Sequence, residues 1–333
     1  MERILKMRLN KKIQIISSLL VMVTLTGCSS STEALMKYSV SDSSAIEYTT
    51  ANNSSDEYAD LFTDNLCVVP LKSDIGGDGN LAAEATLLVN NTDNKLLYAD
   101  SIYEKLYPAS ITKVMTALVT LKNANLSDTV TVSYNASHIA EVGASLCGLK
   151  EGDQINLKDL LNVFLISSGN DAGIAIAEHV AGSEEAFANM MNEQAKELGA
   201  THSHFANAHG LHDENHYTTA YDIYLIFQEA LKQPIFVEII GTKSYDATYS
   251  NSAGSQVKKE FSTTNNYLKG VETMPEGITV IGGKTGTTNK AGSCLVLYSK
   301  DRSDKEYISV ILKSDSKTTL YSQMSYLLKF IYK

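Results

Sequence analysis

The chain has 333 residues, with 28 Lys+Arg against 38 Asp+Glu and a formal net charge of −10. This length predicts one large domain or two modest ones, and a hydrophobic content of 44% is too high for a disordered protein. An acidic chain with no Lys/Arg block beyond its first twelve residues argues against a nucleic-acid partner, and four cysteines do not make a disulfide scaffold.

The N-terminus has the pattern of an export signal. Five basic residues within 1–12 precede an apolar run over 13–25, which is shorter than the roughly 20 residues of a membrane span. The next residues, Leu25-Thr26-Gly27-Cys28, resemble a bacterial lipobox, so we expect removal of 1–27 and lipidation of Cys28. The acyl chains would anchor the protein on the extracytoplasmic side of the bacterial cell membrane. An ordinary secretory signal or an uncleaved signal anchor is the alternative.

A polar stretch follows the predicted lipidation site. Residues 29–56 are rich in Ser, Thr, Asn and Asp and have no sustained apolar period, which is typical of a flexible tether. We assign the tether to 28–80 and expect a first docked segment within 61–70. The folded domain is predicted to span 81–333.

The predicted elements place helices in the middle of this domain and strands at both of its ends. Apolar periodicity, capping residues and turn signals define them. In chain order they are a hairpin over 85–89 and 95–99, a helix over 110–122, a strand over 128–133, helices over 157–166, 171–181, 184–198 and 218–232, strands over 279–284, 293–299 and 307–312, and a helix over 318–332. The pattern predicts a mixed α/β fold with two lobes.

The first motif with chemical potential is Ser110-Ile111-Thr112-Lys113, at the start of a predicted helix. A hydroxyl and an ammonium three positions apart share one helix face, and the free N–H groups of a helix N-terminus stabilise an oxyanion. A lysine whose pKa is lowered by burial and nearby positive charge can deprotonate the serine. Ser255 and Ser314 also begin an S-x-x-K, but neither begins a helical pattern. Alone, the motif is better explained by a helix-capping serine and a solvated lysine.

Two further motifs follow in the chain. Ser168-Gly169-Asn170 lies between two predicted helices, where its polar side chains either cap the helices or point into a cleft. Lys284-Thr285-Gly286 is the only K-T-G and lies on a predicted strand. Its glycines allow a substrate backbone to lie along the strand edge, and its polar groups suit a carboxylate. A glycine-rich turn is the alternative.

The three motifs in this order resemble those of the penicillin-recognising serine enzymes. The wider stretches 108–117, 168–172, 209–212 and 283–286 are similar to the low-molecular-mass penicillin-binding proteins that are serine-type D-alanyl-D-alanine carboxypeptidases. The resemblance implies a two-lobed β-lactamase/transpeptidase-like fold, with an antiparallel sheet flanked by helices and an all-helical lobe. Family members often have a second, β-rich domain and a C-terminal anchor; here we expect a single domain with the N-terminal lipid as anchor.

The resemblance also implies the catalytic roles. Ser110 would attack the carbonyl between the two terminal D-alanines of a peptidoglycan stem peptide and form an acyl-enzyme. Lys113 would be the general base, and Ser168 would relay a proton to the leaving amine. The backbone N–H groups of Ser110 and Thr287 would form the oxyanion hole.

Substrate binding is assigned in the same way. Asn170 would hydrogen-bond the peptide backbone, while Lys284, Thr285 and Thr287 would receive the terminal carboxylate. β-Lactams would acylate Ser110 persistently because they imitate the D-Ala-D-Ala bond. No cofactor or metal is implied, and Lys113 and Lys284 are the expected local positive charges.

Three other interpretations remain. A class A-like β-lactamase would have S-D-N where this chain has Gly169, and an E-x-x-L-N stretch that is missing between the second and third motifs. A zinc site is suggested by five histidines between His202 and His216, but no H-E-x-x-H is present. A non-catalytic lipoprotein that binds β-lactams or muropeptides is compatible with every motif. Cys67, Cys147 and Cys294 form either one disulfide and a free thiol or three buried thiols.

Overall fold

The computed structural model describes residues 66–69, 78–141 and 143–333. The predicted signal peptide, the lipidation site Cys28 and most of the predicted tether lie outside these residues. Within the described part of the chain, no helix is both long enough and apolar enough to cross a membrane.

A five-stranded antiparallel sheet forms the centre of the domain. Its spatial order is β2-β1-β9-β8-β7, so strands from both ends of the domain pair with each other. The strands are β1 (Ala85–Asn90), β2 (Lys95–Asp100), β7 (Thr279–Thr288), β8 (Gly292–Lys300) and β9 (Glu306–Ser314).

Both faces of this sheet are covered. Leu87 and Val89 of β1 belong to the large core shared with the helices, whereas Leu88 between them belongs to a second core. The second core includes Leu320 and Met324 of the C-terminal helix. Because successive strand residues point to opposite faces, strands buried on both sides read as continuous apolar runs. This explains why β1 and β9 were recognisable as apolar runs in the sequence.

In the sequence, all helices except the last lie between the N-terminal and C-terminal strands of the central sheet, and most of them form the second lobe. The first helix, α1 (Lys113–Asn123), runs through the middle of it, and every residue from Lys113 to Thr120 is buried. The others are α2 (Tyr134–Ser137), α3 (Leu157–Ser167), α4 (Asn170–Ala181), α5 (Glu184–Glu197), α6 (Ala220–Leu231), α7 (Pro234–Ile240), α8 (Asn266–Lys269) and α9 (Lys317–Leu328).

A smaller sheet of order β3-β4-β5-β6 lies against α3. Its strands are β3 (Thr129–Thr131), β4 (Gln154–Asn156), β5 (Ser244–Ser250) and β6 (Gln256–Ser262). Of these four strands, the sequence predicted only β3. β5 and β6 are half-exposed and polar, with burial limited to Ala247, Tyr249 and Phe261, so they have no apolar run.

Part of the predicted tether is docked on the domain. Cys67 and Val69 are buried in the large core, and the Cys67 N–H donates to the Tyr224 hydroxyl at 3.0 Å. The folded part of the chain therefore includes residues before Leu81, where the sequence placed its start. Cys67, Cys147 and Cys294 are free and buried. Of the two arrangements that the sequence left open, they therefore have the one with three buried thiols.

Candidate active site

Ser110 lies in a short 3₁₀ turn, Ala109–Thr112, that leads directly into α1. Pro108 precedes the turn and provides no backbone N–H, which favours its place at the start of a helical segment. The continuous helical path places Lys113 one turn after Ser110, and its Nζ lies 2.9 Å from the Ser110 Oγ. The first motif thus has the serine–amine contact that its spacing predicted.

The ammonium group of Lys113 has two further partners. Its Nζ donates to the Asn170 Oδ1 at 2.8 Å and to the backbone carbonyl of His209. Burial, and then the positive charge of Lys284, lower the pKa of Lys113 well below its ordinary value of 10.5. A neutral amine uses its two N–H groups on these two acceptors, so its lone pair is left for the Ser110 hydroxyl. This is the arrangement that a general base needs.

The second motif bridges two helices. Ser168 ends α3 in the left-handed region, with a φ of 65°, and Asn170 begins α4. A non-glycine residue in this region is strained, and such strain is concentrated at functional sites. A Cβ added at Gly169 would lie 2.0 Å from the Cys147 Sγ. The middle position therefore does not accommodate the aspartate of an S-D-N motif.

The third motif lies on β7 beside the nucleophile. The Lys284 Nζ donates to the Ser168 Oγ at 3.0 Å and to the Thr285 carbonyl at 2.9 Å, and burial lowers the pKa of Lys284 to about 7. A Cβ added at Gly286 would lie 2.9 Å from the Ser110 backbone nitrogen. Glycine at this position lets β7 approach the turn that carries Ser110. Thr287 is the next residue of the strand.

The motifs surround a cavity of about 200 Å³. Ser110, Ser168, Thr285 and Thr287 all line it. Residues that the sequence did not single out contribute the remaining polar walls: Ser145, Thr264, Lys317 and Tyr321. The Thr264 Oγ1 lies 2.6 Å from the Thr285 Oγ1. Ser145, Thr264 and Tyr321 belong to no recognisable motif. Lys317 ends the S-x-x-K that begins at Ser314, but nothing in the sequence connected that motif with the site.

One of the missed residues changes the charge balance of the cavity. Lys113 and Lys284 are fully buried and have lowered pKa values, whereas Lys317 at the start of α9 is exposed. Among the described residues, Lys317 is therefore the one lysine that lines the cavity itself, and its side chain remains in contact with solvent.

The loop that contains Gly210 and His216 supports the turn that carries Ser110. Gly210 has a φ of +86°, and a Cβ added there would lie 2.0 Å from the Ala109 carbonyl oxygen. The His216 Nε2 lies 2.8 Å from the Thr112 Oγ1, whose hydroxyl donates to the same carbonyl at 2.7 Å. Ala109 itself has a φ of 47°. The loop thus holds a strained residue directly before Ser110.

The histidines of this loop have structural partners. The His216 Nδ1 accepts the Ala206 N–H at 3.2 Å, so its Nε2 carries the proton, and burial lowers the pKa of His216 to about 3. The His209 Nε2 lies 3.0 Å from Glu184 Oε1. Within the described ranges, no group of three or more His, Cys, Asp or Glu residues is arranged to hold a metal ion.

Asp171 anchors the loop at the mouth of the site. Its carboxylate accepts the backbone N–H groups of Cys147, Gly148 and Leu149 at 2.8, 2.8 and 3.1 Å. The Asn170 N–H also donates to the Ser145 carbonyl at 2.7 Å. The loop is therefore fixed to the same helix turn that presents Asn170.

The chain is similar to proteins of a known enzyme family. Residues 73–316 match the peptidase S11 family, described as D-alanyl-D-alanine carboxypeptidase. The chain is similar to the D-alanyl-D-alanine carboxypeptidase DacF of Bacillus subtilis, with 33% identity over 75% of this chain and 62% of that protein. It is also similar to DacC of Escherichia coli, with 35% identity over 74% of this chain and 60% of that protein.

The fold has solved counterparts as well. The crystal structure of the Streptomyces K15 DD-transpeptidase matches with a TM-score of 0.71 at 28% identity, covering 77% of this chain and 99% of that one. The predicted two-lobed α/β fold is thereby confirmed. The chain spans about 60% of the length of the two curated carboxypeptidases.

Proposed function

Because the chain belongs to the D-alanyl-D-alanine carboxypeptidase family, we propose that it removes the terminal D-alanine from peptidoglycan stem peptides through an acyl-enzyme on Ser110. The observation that carries this proposal is the environment of Lys113. Its buried amine contacts the Ser110 hydroxyl, while Asn170 and the His209 carbonyl occupy its N–H groups. A serine activated in this way is suited to acyl transfer.

In the acylation step, the Ser110 hydroxyl proton passes to Lys113 and the Ser110 Oγ attacks the carbonyl between the two D-alanines. The N–H groups of Ser110 and Thr287 stabilise the oxyanion, where one donor contributes about 10²–10³-fold in rate. The C–N bond then breaks, and the leaving amine takes through Ser168 the proton that Lys113 had accepted, which returns Lys113 to its neutral form. Water attacks the resulting ester with Lys113 again as the base and releases the shortened peptide.

The carboxylate of the terminal D-alanine occupies the cavity beside β7. Thr285 and Thr287 donate hydroxyl hydrogen bonds to it, and Lys284 contributes charge in its protonated form. Since the pKa of Lys284 is about 7, it is only partly protonated at neutral pH. The exposed Lys317 on the same wall supplies additional attraction for the carboxylate.

The place of action follows from the N-terminal sequence. We propose that Cys28 carries the lipid and holds the domain on the extracytoplasmic side of the bacterial membrane, where the family's peptidoglycan substrates are found. β-Lactams would compete for the same serine. Mass spectrometry of the mature N-terminus tests the anchor, and an unmodified Cys28 would contradict it.

The activity is tested with two measurements on the full-length protein. A fluorescent penicillin should label it covalently, and Ser110→Ala should abolish the labelling. D-Alanine release from a peptide ending in D-Ala-D-Ala should be catalytic in the wild type. Labelling that persists in the variant would show that the nucleophile is wrong, and stoichiometric labelling without D-alanine release would favour the non-catalytic binding protein.

A further inference from the structure

A second cavity, of about 330 Å³, adjoins the nucleophile. It shares Ser110, Ser145 and Thr287 with the first cavity but includes Asn170 in place of Thr285 and Lys317. With the terminal carboxylate at Thr285, the part of the substrate before the scissile bond lies on the Asn170 side. The second cavity is therefore where the upstream residues of the peptide are bound.

The charge of this second cavity is concentrated in one side chain. Among the described residues of its wall, Glu141 is the only ionisable one; the others are Ser110, Gly143, Ala144, Ser145, Asn170, Gly210, Leu211, Thr287, Thr288 and Asn289. The side chain of Glu141 is exposed, and it has no ion pair or hydrogen bond in the part of the chain that the structure describes. A carboxylate without a cationic neighbour in a substrate cavity favours a cation from the substrate.

The position of Glu141 is fixed by the loop that carries it. The Glu141 carbonyl accepts the Ala144 N–H, and the Ser145 carbonyl accepts the Asn170 N–H. Asp171 holds Cys147, Gly148 and Leu149 by their backbone N–H groups. The carboxylate is thus tied to the helix turn that also presents Asn170, the proposed partner of the substrate backbone.

We propose that Glu141 binds a side-chain ammonium on the residue immediately before D-Ala-D-Ala, so that the enzyme prefers peptides with a free amine there. This subsite rests on the proposed function, because that function sets the direction of the peptide. A stem peptide whose side-chain amine is free carries this cation. A cross-linked or acylated amine has become an amide without charge, so Glu141 directs the enzyme to uncross-linked strands.

The test uses two peptides that differ only in this charge. Nα-acetyl-L-Lys-D-Ala-D-Ala carries the ammonium, and Nα,Nε-diacetyl-L-Lys-D-Ala-D-Ala does not. Binding to full-length Ser110→Ala protein is measured by NMR titration, which requires no turnover. The charged peptide should bind about 2- to 5-fold more tightly, as expected for one partly exposed ion pair, and added salt should reduce this preference.

Glu141→Gln in the same background should make the two affinities equal. The matched control is Glu151→Gln, since Glu151 is also exposed but lies outside the walls of both cavities, and it should keep the preference. Equal binding of both peptides before the substitution, or a preference that survives Glu141→Gln, would overturn the subsite. D-Alanine release by the wild type is measured separately, so its absence would count against the proposed function alone.

Discussion

At the scale of single residues, the site contains two lysines whose pKa values are lowered by burial. The Lys113 Nζ contacts Ser110, and the Lys284 Nζ contacts Ser168. The positive charge of Lys284 is the second cause, after burial, of the lowered pKa of Lys113. The sequence predicted both residues from their motifs as local positive charges, and the family resemblance implied that Lys113 is the general base. The structure adds the burial of both side chains, which lowers both pKa values and which a single sequence does not reveal.

The coupling of the two lysines predicts a pH dependence. Only neutral Lys113 accepts the Ser110 proton, so acylation should slow as the pH falls through the pKa of Lys113. Lys284→Met removes a positive charge that lowers this pKa, so the acid limb should move to higher pH. The rate constant of acylation by a fluorescent penicillin between pH 5 and 10 measures the limb. Lys317→Met should leave it in place, and a shift to lower pH in Lys284→Met would refute the coupling.

His216 is expected to act as a positioning residue for the nucleophile. His216→Phe keeps a ring beside Phe205 but removes the N–H that reaches Thr112, so the turn carrying Ser110 loses its support. Acylation should slow by up to about 10²-fold, the cost of a displacement near 1 Å. His216→Gln retains an N–H donor and should recover most of the rate.

The matched control for His216 is His204→Phe, at an exposed histidine whose Nδ1 contacts only the Asn215 carbonyl. The unfolding midpoint is measured for every variant. If the rate loss follows the loss of stability, or if His216→Gln is as slow as His216→Phe, the role of His216 is structural.

At the scale of elements, the sequence located the helices and strands that have an apolar face. It found the hairpin, α1, α3 to α6 and the three C-terminal strands, because burial on one or both faces leaves a periodic or continuous apolar signal. It missed β5 and β6, which bury little, and it did not predict the backbone hydrogen bonds of Asp171. A contact between a carboxylate and three N–H groups more than 20 residues away leaves no local pattern.

Asp171 predicts a measurable effect on this loop. Asp171→Asn replaces one carboxylate oxygen by an NH₂ group, which cannot accept the Gly148 and Leu149 N–H groups. Leaving the buried Leu149 donor and the part-buried Gly148 donor unpaired should lower the free energy of unfolding by about 2–3 kcal/mol, as measured by urea denaturation. Asp246→Asn, which breaks a surface ion pair with Lys258, should cost less than about 1 kcal/mol. Equal losses in the two variants would contradict the anchoring role.

At the scale of the whole molecule, the segment over residues 66–69 is attached by three tyrosine hydroxyls. The Tyr224 hydroxyl accepts the Cys67 N–H, the Tyr221 hydroxyl donates to the Cys67 carbonyl at 3.1 Å, and the Tyr103 hydroxyl donates to the Val69 carbonyl. Tyr221 and Tyr224 belong to α6, which packs on β1 and β9 of the central sheet. The N-terminal segment is therefore joined to the rigid centre of the domain.

Removing two of these hydroxyls tests the attachment without altering the active site. Tyr221→Phe combined with Tyr224→Phe should lower the free energy of unfolding of the full-length protein by about 2 kcal/mol, from two hydrogen bonds lost. Penicillin acylation should be unchanged because neither tyrosine lines a catalytic cavity. Tyr134→Phe, at an exposed tyrosine, is the control. Unchanged stability would mean that the apolar burial of Cys67 and Val69 alone holds the segment, since burial is the contribution that this substitution leaves intact.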